Sequence, residues 1–164
     1  MVKKINPAHI EMMLKMANQS PYFQLLSMRL CQVDWGVSQV EMDFGEKHMN
    51  SFGEIHGGAY ASMIDTAAYC AVYCDLAEDV GLISLDLQVD DLGRTQPGKL
   101  LAKGKRIKVG RSICLAEATI QDAQGKLLAH GKSKLLVTNG LQSRDQVTAV
   151  KEGQAFPPKF LPAE

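Results

Sequence analysis

From Met28 to Asp34, and again from Val37 to Phe44, apolar and polar residues alternate with a period of two on either side of Trp35-Gly36. That period sends successive side chains to opposite faces, so it predicts two antiparallel strands joined by a tight turn. The pattern then changes: A-Y-A-S-M-I-D-T-A-A-Y-C-A-V-Y-C, from Ala59 to Cys74, has neither proline nor glycine and predicts one long, mostly buried helix. Beyond Gly81, I-S-L-D-L-Q-V-D returns to strict alternation. Ile83, Leu85, Leu87 and Val89 are expected on one face of that strand, and Ser84, Asp86, Gln88 and Asp90 on the other. Three more strands are predicted from Lys99 to Lys108, Ser112 to Gln121 and Leu127 to Thr138, separated by V-G-R and D-A-Q-G, which carry hairpin-turn chemistry.

Upstream of the first strand, Asn6-Pro7 followed by A-H-I-E-M-M-L-K-M-A supplies a capping residue, a proline at the first helical position and apolar residues at helical spacing, which predicts a short amphipathic helix. Ser20-Pro21 starts a second short turn, whose Tyr22 and Phe23 are expected to pack. Downstream of Asn139 the periodicity is lost, and Pro157 and Pro158 exclude a helix. The expected organisation is one domain over residues 1–138 and a C-terminal extension over 139–164, free to drape over a neighbour. An apolar helix needs a sheet to cover it, and a half-apolar sheet needs something to bury. The order strand, strand, long helix, four strands therefore predicts an α+β domain with an antiparallel sheet wrapped around one central helix.

Composition narrows the function classes. The 164 residues carry 18 lysines and arginines against 18 aspartates and glutamates, and no long basic arm, so nucleic acid is not an implied partner. Asp65, Asp75 and Glu78 break the apolar runs well short of the roughly 20 residues of a membrane span. Cys31, Cys70, Cys74 and Cys114 lie in apolar surroundings without a CxxC pair or a signal peptide, which fits reduced core thiols and a cytoplasmic location. Cys70 and Cys74 share a helix face but have no histidine beside them, a poor zinc set, so neither metal nor cofactor is expected.

Candidate chemistry collects between Asn50 and Asp65, N-S-F-G-E-I-H-G-G-A-Y-A-S-M-I-D. Gly57 and Gly58 lie where the helix starts. There the first-turn N–H groups lack intrahelical partners and the macrodipole adds about half a positive charge, a setting that stabilises a carbonyl oxygen gaining negative charge. Two glycines also serve simply to allow a tight loop. Asp65 has Gly58, Ala61, Ser62, Ala68, Tyr69 and Val72 on its helix face, small enough neighbours to leave room for a ligand. It reads either as a partly desolvated base or nucleophile, or as a buried acid satisfied by Ser62, Tyr69 or a neighbouring strand. His56 could hydrogen-bond a reacting carbonyl or a leaving group, or hold the loop. Asn50 could orient a carbonyl, or close a turn.

At about 1.5 Å per residue, Asp65 lies roughly 12 Å along the helix from Gly57, too far for both to act on one carbonyl. Two subunits packed with these helices antiparallel about a two-fold axis would bring each Asp65 to the partner's helix start. An obligate dimer with two composite sites is therefore expected.

N-x5-H-G-G with an aspartate seven residues on, the strand S-L-D-L-Q-V and the late strand A-H-G-K-S-K-L-L-V together resemble the hotdog-fold acyl-CoA thioesterases of the phenylacetate-degradation type, over roughly residues 20–138. The resemblance implies the hotdog fold and metal-free hydrolysis of acyl-CoA to free acid and CoA, commonly by a homotetramer made of two dimers. It implies that Gly57 N–H and Asn50 polarise the thioester carbonyl, that Asp65 of the other subunit activates water or attacks directly, and that His56 and Ser84 assist. Ser84 is expected on the strand face turned away from its own helix.

CoA carries phosphates, so a cationic rim is required. The densest basic run is Lys103, Lys105, Arg106, Lys108 and Arg111, which also reads as a solvated edge strand. Asp90-Asp91 departs from the family pattern, which often has an apolar or aromatic residue there, and two acids near the acyl pocket would disfavour an anionic acyl tail. Two alternatives share the scaffold: a non-catalytic acyl-CoA-binding module and, less in keeping with H-G-G and an aspartate, a hotdog dehydratase.

Overall fold

The computed structural model describes residues 3–139 and 156–162. In chain order the elements are α1 (Pro7–Asn18), α2 (Pro21–Leu25), β1 (Met28–Asp34), β2 (Val37–Phe44), a 3₁₀ turn (Glu46–His48), α3 (Gly57–Tyr73), β3 (Val80–Asp91), β4 (Gly98–Val109), β5 (Ile113–Asp122) and β6 (Leu127–Asn139). The strands form one antiparallel sheet in the order β1-β2-β4-β5-β6-β3, and its concave face holds α3. This is the α+β arrangement that the order of elements predicted, and the hotdog fold that the resemblance implied. No helix among the described residues is long and apolar enough to cross a membrane.

The hairpin turns where expected, with Gly36 at φ +70°, a left-handed conformation that glycine adopts without strain. Helix α3 begins two residues before the apolar run, because His56 caps it. Ala59, Met63, Ile64, Ala67, Ala68, Ala71 and Val72 are all buried against the sheet. The helix and sheet meet almost backbone to backbone. A Cβ placed on Gly104 of β4 would overlap the Ala67 carbonyl and Ser38 Oγ, and one on Gly131 of β6 would overlap Gln88 O and the Ile64 side chain. Ser38 Oγ donates to Ala67 O at 2.6 Å, tying β2 to the middle of α3.

Four residues are skipped in the strand pairing of the described residues: Cys31 in β1, Leu85 in β3, Ile107 in β4 and Leu128 in β6. Such bulges bend a strand and reverse the faces beyond them. In β3 this corrects the expected alternation. Before the bulge Leu82 is buried while Ile83 and Leu85 are 41% and 52% exposed; after it Leu87 and Val89 pack on the core. One four-residue apolar face is replaced by two half-faces out of phase.

The sheet does not close, and a seam remains between its edge strands β1 and β3. Helix α1 and residues 156–162 lie over one end of α3. The segment pairs with residues 4–6 through Asn6 N to Lys159 O and Leu161 N to Lys4 O, both 2.9 Å. Lys159 is only 2% exposed and its ammonium donates to the carbonyls of Tyr73 and Leu76, next to the Tyr73 ring. The described end of the C-terminal extension packs on its own chain; residues 140–155 lie outside the described residues. The thiols of Cys70, Cys74 and Cys114 are buried and free, and Cys31 is free and partly covered.

Gly104→Ala is expected to lower stability by about 2 kcal/mol or more, because the overlapping atoms are backbone and a tethered hydroxyl that cannot swing aside; urea unfolding measures it. Burial pushes Lys159 down to about 8 from 10.5. Between those values the native state binds fewer protons than the unfolded one, so this residue's contribution is fully present above about pH 10.5 and falls away as the pH drops through about 8. The stability difference between the wild type and Lys159→Met should accordingly shift toward the wild type as the pH rises across that window.

Candidate active site

His56, the N-cap of α3, has extended backbone (φ −72°, ψ 131°) and turns its ring back so that Gly58 N–H donates to Nδ1 at 2.8 Å. The absence of a Cβ on Gly58 makes room, since one would lie 2.9 Å from that Nδ1. In the neutral ring the proton then sits on Nε2. Ala59 N–H is also occupied, by His56 O at 2.8 Å. Of the two glycine N–H groups expected to receive a ligand, Gly58's is spent on the cap, a correction to its proposed substrate contact. Gly57 N–H makes no contact of this kind among the described residues.

Asn50 closes its loop. Its Oδ1 accepts from Phe52 N at 2.9 Å and Glu54 N at 3.2 Å. That leaves the amide Nδ2 as the end able to donate to a carbonyl.

Asp65 is partly exposed on the α3 face that looks into the seam. Ser84 Oγ donates to its Oδ1 at 2.7 Å, within the same chain. Of the partners open to this acid, the neighbouring strand is the one used. The bond also corrects the expected side of Ser84: the bulge at Leu85 turns Ser84 toward its own helix, not away from it. Ser62 serves elsewhere, donating to Gly58 O at 2.9 Å and meeting the Tyr22 hydroxyl at 2.7 Å. Tyr22 was expected only to pack; it is half-exposed and reaches α3 one turn from Asp65, and nothing in its local sequence signals that contact.

A cavity of about 510 Å³ opens beside Asp65, lined mostly by apolar side chains that include Met13, Phe23, Leu30, Tyr69 and Leu82. Asp90 and Asp91 do not line it. Asp91 instead stands at the start of α3, its Oδ2 3.0 Å from where a Cβ on Gly57 would lie, in a smaller cleft with Glu54, Tyr60 and Arg94. There it raises the Tyr60 hydroxyl, which burial chiefly pushes up to about 12.

The basic run is not gathered at Gly57 within one chain. Arg106 pairs through Nη1 with Asp75, just past the far end of α3. Lys103, Lys105, Lys108 and Arg111 are exposed. No cluster of three potential metal ligands occurs among the described residues.

Residues 52–129 match the family model described as thioesterase superfamily. That segment, just under half of the chain, is similar to a thioesterase-superfamily domain. The matched segment contains His56, Gly57, Asp65, Ser84 and the basic run; Asn50, α1 and residues 156–162 fall outside it. The chain is 25% identical over 114 residues to the 1,4-dihydroxy-2-naphthoyl-CoA hydrolase of Listeria monocytogenes, covering 70% of this chain and 93% of that one. It is 27% identical over 94 residues to acyl-coenzyme A thioesterase 13 of Homo sapiens, covering 56% and 66%. The solved structure of a thioesterase from Haemophilus influenzae shares the fold with a TM-score of 0.73 at 23% identity, covering 80% of this chain and 92% of that one. Thioester hydrolysis is the activity class of this superfamily domain.

The cap and the chemistry of His56 separate by substitution. His56→Ala should lose about 1 kcal/mol of stability with the cap, and His56→Asn, whose amide can cap, should recover it. If the ring itself meets the substrate, turnover stays reduced in both variants while thermal unfolding returns to normal only in the second.

Proposed function

We propose that the protein hydrolyses an acyl-CoA thioester to the free acid and CoA, in composite sites that each combine the Gly57 helix start of one chain with Asp65 of its partner. The observation that carries the reading is the division of the machinery. An uncommitted N–H at the start of α3 and a serine-held carboxylate eight residues later lie about 12 Å apart along one helix, complementary in chemistry and out of each other's reach.

In the composite site the thioester carbonyl oxygen accepts from Gly57 N–H and the Asn50 amide. Ser84 holds Oδ1 of Asp65, and Oδ2 takes a proton from water as the water oxygen adds to the carbonyl carbon. The C–S bond then breaks as the carbonyl re-forms, and the thiolate leaves with that proton. Gly57 N–H gains strength as charge builds on the oxyanion, and so favours the transition state over bound substrate. Direct attack by Asp65 uses the same two half-sites, and single turnover in isotopically labelled water separates the routes.

Support for the dimer comes also from β3, an edge strand of the described sheet with exposed Ile83 and Leu85 on either side of Ser84. Burying that edge against a second copy removes apolar surface from water. Lys105, Lys108 and Arg111 remain the cations for the CoA phosphates. The 1,4-dihydroxy-2-naphthoyl-CoA and acyl-coenzyme A named for two relatives support a CoA thioester as substrate. A tetramer of two such dimers and the phenylacetate-degradation type belong to the same proposal.

Gly57→Pro deletes one N–H at a first helical position that accepts proline, after a residue already extended, so it removes the donor and keeps the helix. It should lower kcat by about 100- to 1,000-fold. Asp65→Asn should abolish most turnover with the fold intact. Mixed and reassembled, the two inactive variants should recover up to about a quarter of wild-type activity, since half of the dimers are hybrids with one fully wild-type composite site. No recovery from hybrids shown to form would place both half-sites in one chain and overturn the composite reading.

A further inference from the structure

The cavity beside Asp65 has an end wall that does not belong to the family-matched segment. It occupies the seam between the edge strands, with Leu30 of β1 on one side and Val80 to Leu82 of β3 on the other, along the α3 face that carries Asp65, Tyr69 and Tyr73. At its far end stands Phe156, edge-on to the His9 ring with centroids 4.6 Å apart. This wall is held by specific bonds. His9 Nδ1 meets Pro157 O at 2.8 Å, its Nε2 meets the Tyr73 hydroxyl at 2.6 Å, and the Lys159 ammonium ties the same segment to the carbonyls of Tyr73 and Leu76. The α1 side is lined by Met13 and Met16, unbranched side chains that adapt to an apolar guest.

We propose that residues 156–162, together with α1, form the end wall of the acyl cavity, and that Phe156 sets the longest straight-chain acyl group the protein accepts. This rests on the acyl-CoA reading above and adds the substrate class, an unbranched apolar acyl chain. Asp65 to Tyr73 is eight residues, about 12 Å of α3. An extended alkyl chain, with bonds of about 1.52 Å and tetrahedral angles, advances about 1.25 Å per carbon, so the wall stands about ten carbons from the reacting end. Up to that length each further buried CH₂ should tighten binding about fourfold, and beyond it the gain should stop.

The test uses the full chain and two readouts: kcat/KM on straight-chain acyl-CoAs from butyryl to stearoyl, and calorimetric binding of the matching free fatty acids, which needs no catalysis. In the wild type both should climb with length and break near ten carbons. Phe156→Ala should move the break to longer chains by about two to four carbons, the length of the removed ring, and Phe156→Trp should move it shorter. Thermal unfolding and circular dichroism of both variants, matched to the wild type, separate a moved wall from a damaged fold. If Phe156→Ala fails to fold, Phe156→Leu and Phe156→Trp carry the comparison.

A break that stays in place in folded variants overturns the wall assignment and leaves hydrolysis standing. Fatty-acid binding whose break moves with residue 156, in a protein that cleaves no acyl-CoA, supports the wall and overturns the hydrolase reading. A wild type with no dependence on chain length in either readout overturns the proposal.

Discussion

Everything in this domain depends on how closely α3 lies on the sheet. At Gly104 and Gly131 helix and strands approach to a distance that excludes even a methyl group, and the facing helix positions, such as Ala67 and Ala68, are small for the same reason. A helix held that deep is covered by strands on most of its circumference. The sheet must bend to follow it, which the bulges at Cys31, Leu85 and Ile107 allow, and it runs out of strands before it closes. The uncovered strip of α3 is where a carboxylate can sit in an otherwise apolar helix.

The bulge that shapes the sheet also builds the site. Without the extra residue at Leu85, Ser84 and Leu82 would share the outer face of β3, and Asp65 would lack its serine. Sheet curvature and the Ser84–Asp65 bond are in this sense one feature. The exposure of Ile83 and Leu85 is its other consequence, and leaves an apolar edge beside the very residue that holds the acid.

The two ends of α3 are treated differently. At the C-terminal end the carbonyls of Tyr73 and Leu76 receive a buried ammonium, a favourable match of charge to the macrodipole although burial lowers that ammonium's own pKa. At the N-terminal end His56 satisfies Gly58 and Ala59 but not Gly57. In the proposed mechanism that uncommitted donor goes to the incoming carbonyl oxygen.

The sequence by itself determined the elements, their order and the family resemblance, because those rest on local chemistry: alternation, capping residues and the alanine-rich run around Asp65. It also determined, by helix rise alone, that Gly57 and Asp65 cannot meet within a chain. Tertiary structure decided which groups remain available. Gly58 looked as open as Gly57 until His56 folded back onto it, and Arg106 meets Asp75 at the end of α3. The side taken by Ser84, the place of Asp91 and the end wall at Phe156 were equally hidden. Periodicity reports which face a residue takes only while the register is unbroken, and one inserted residue reverses it. Whether a donor or a charge is already spent depends on partners distant in sequence, which only the folded chain brings within hydrogen-bonding distance.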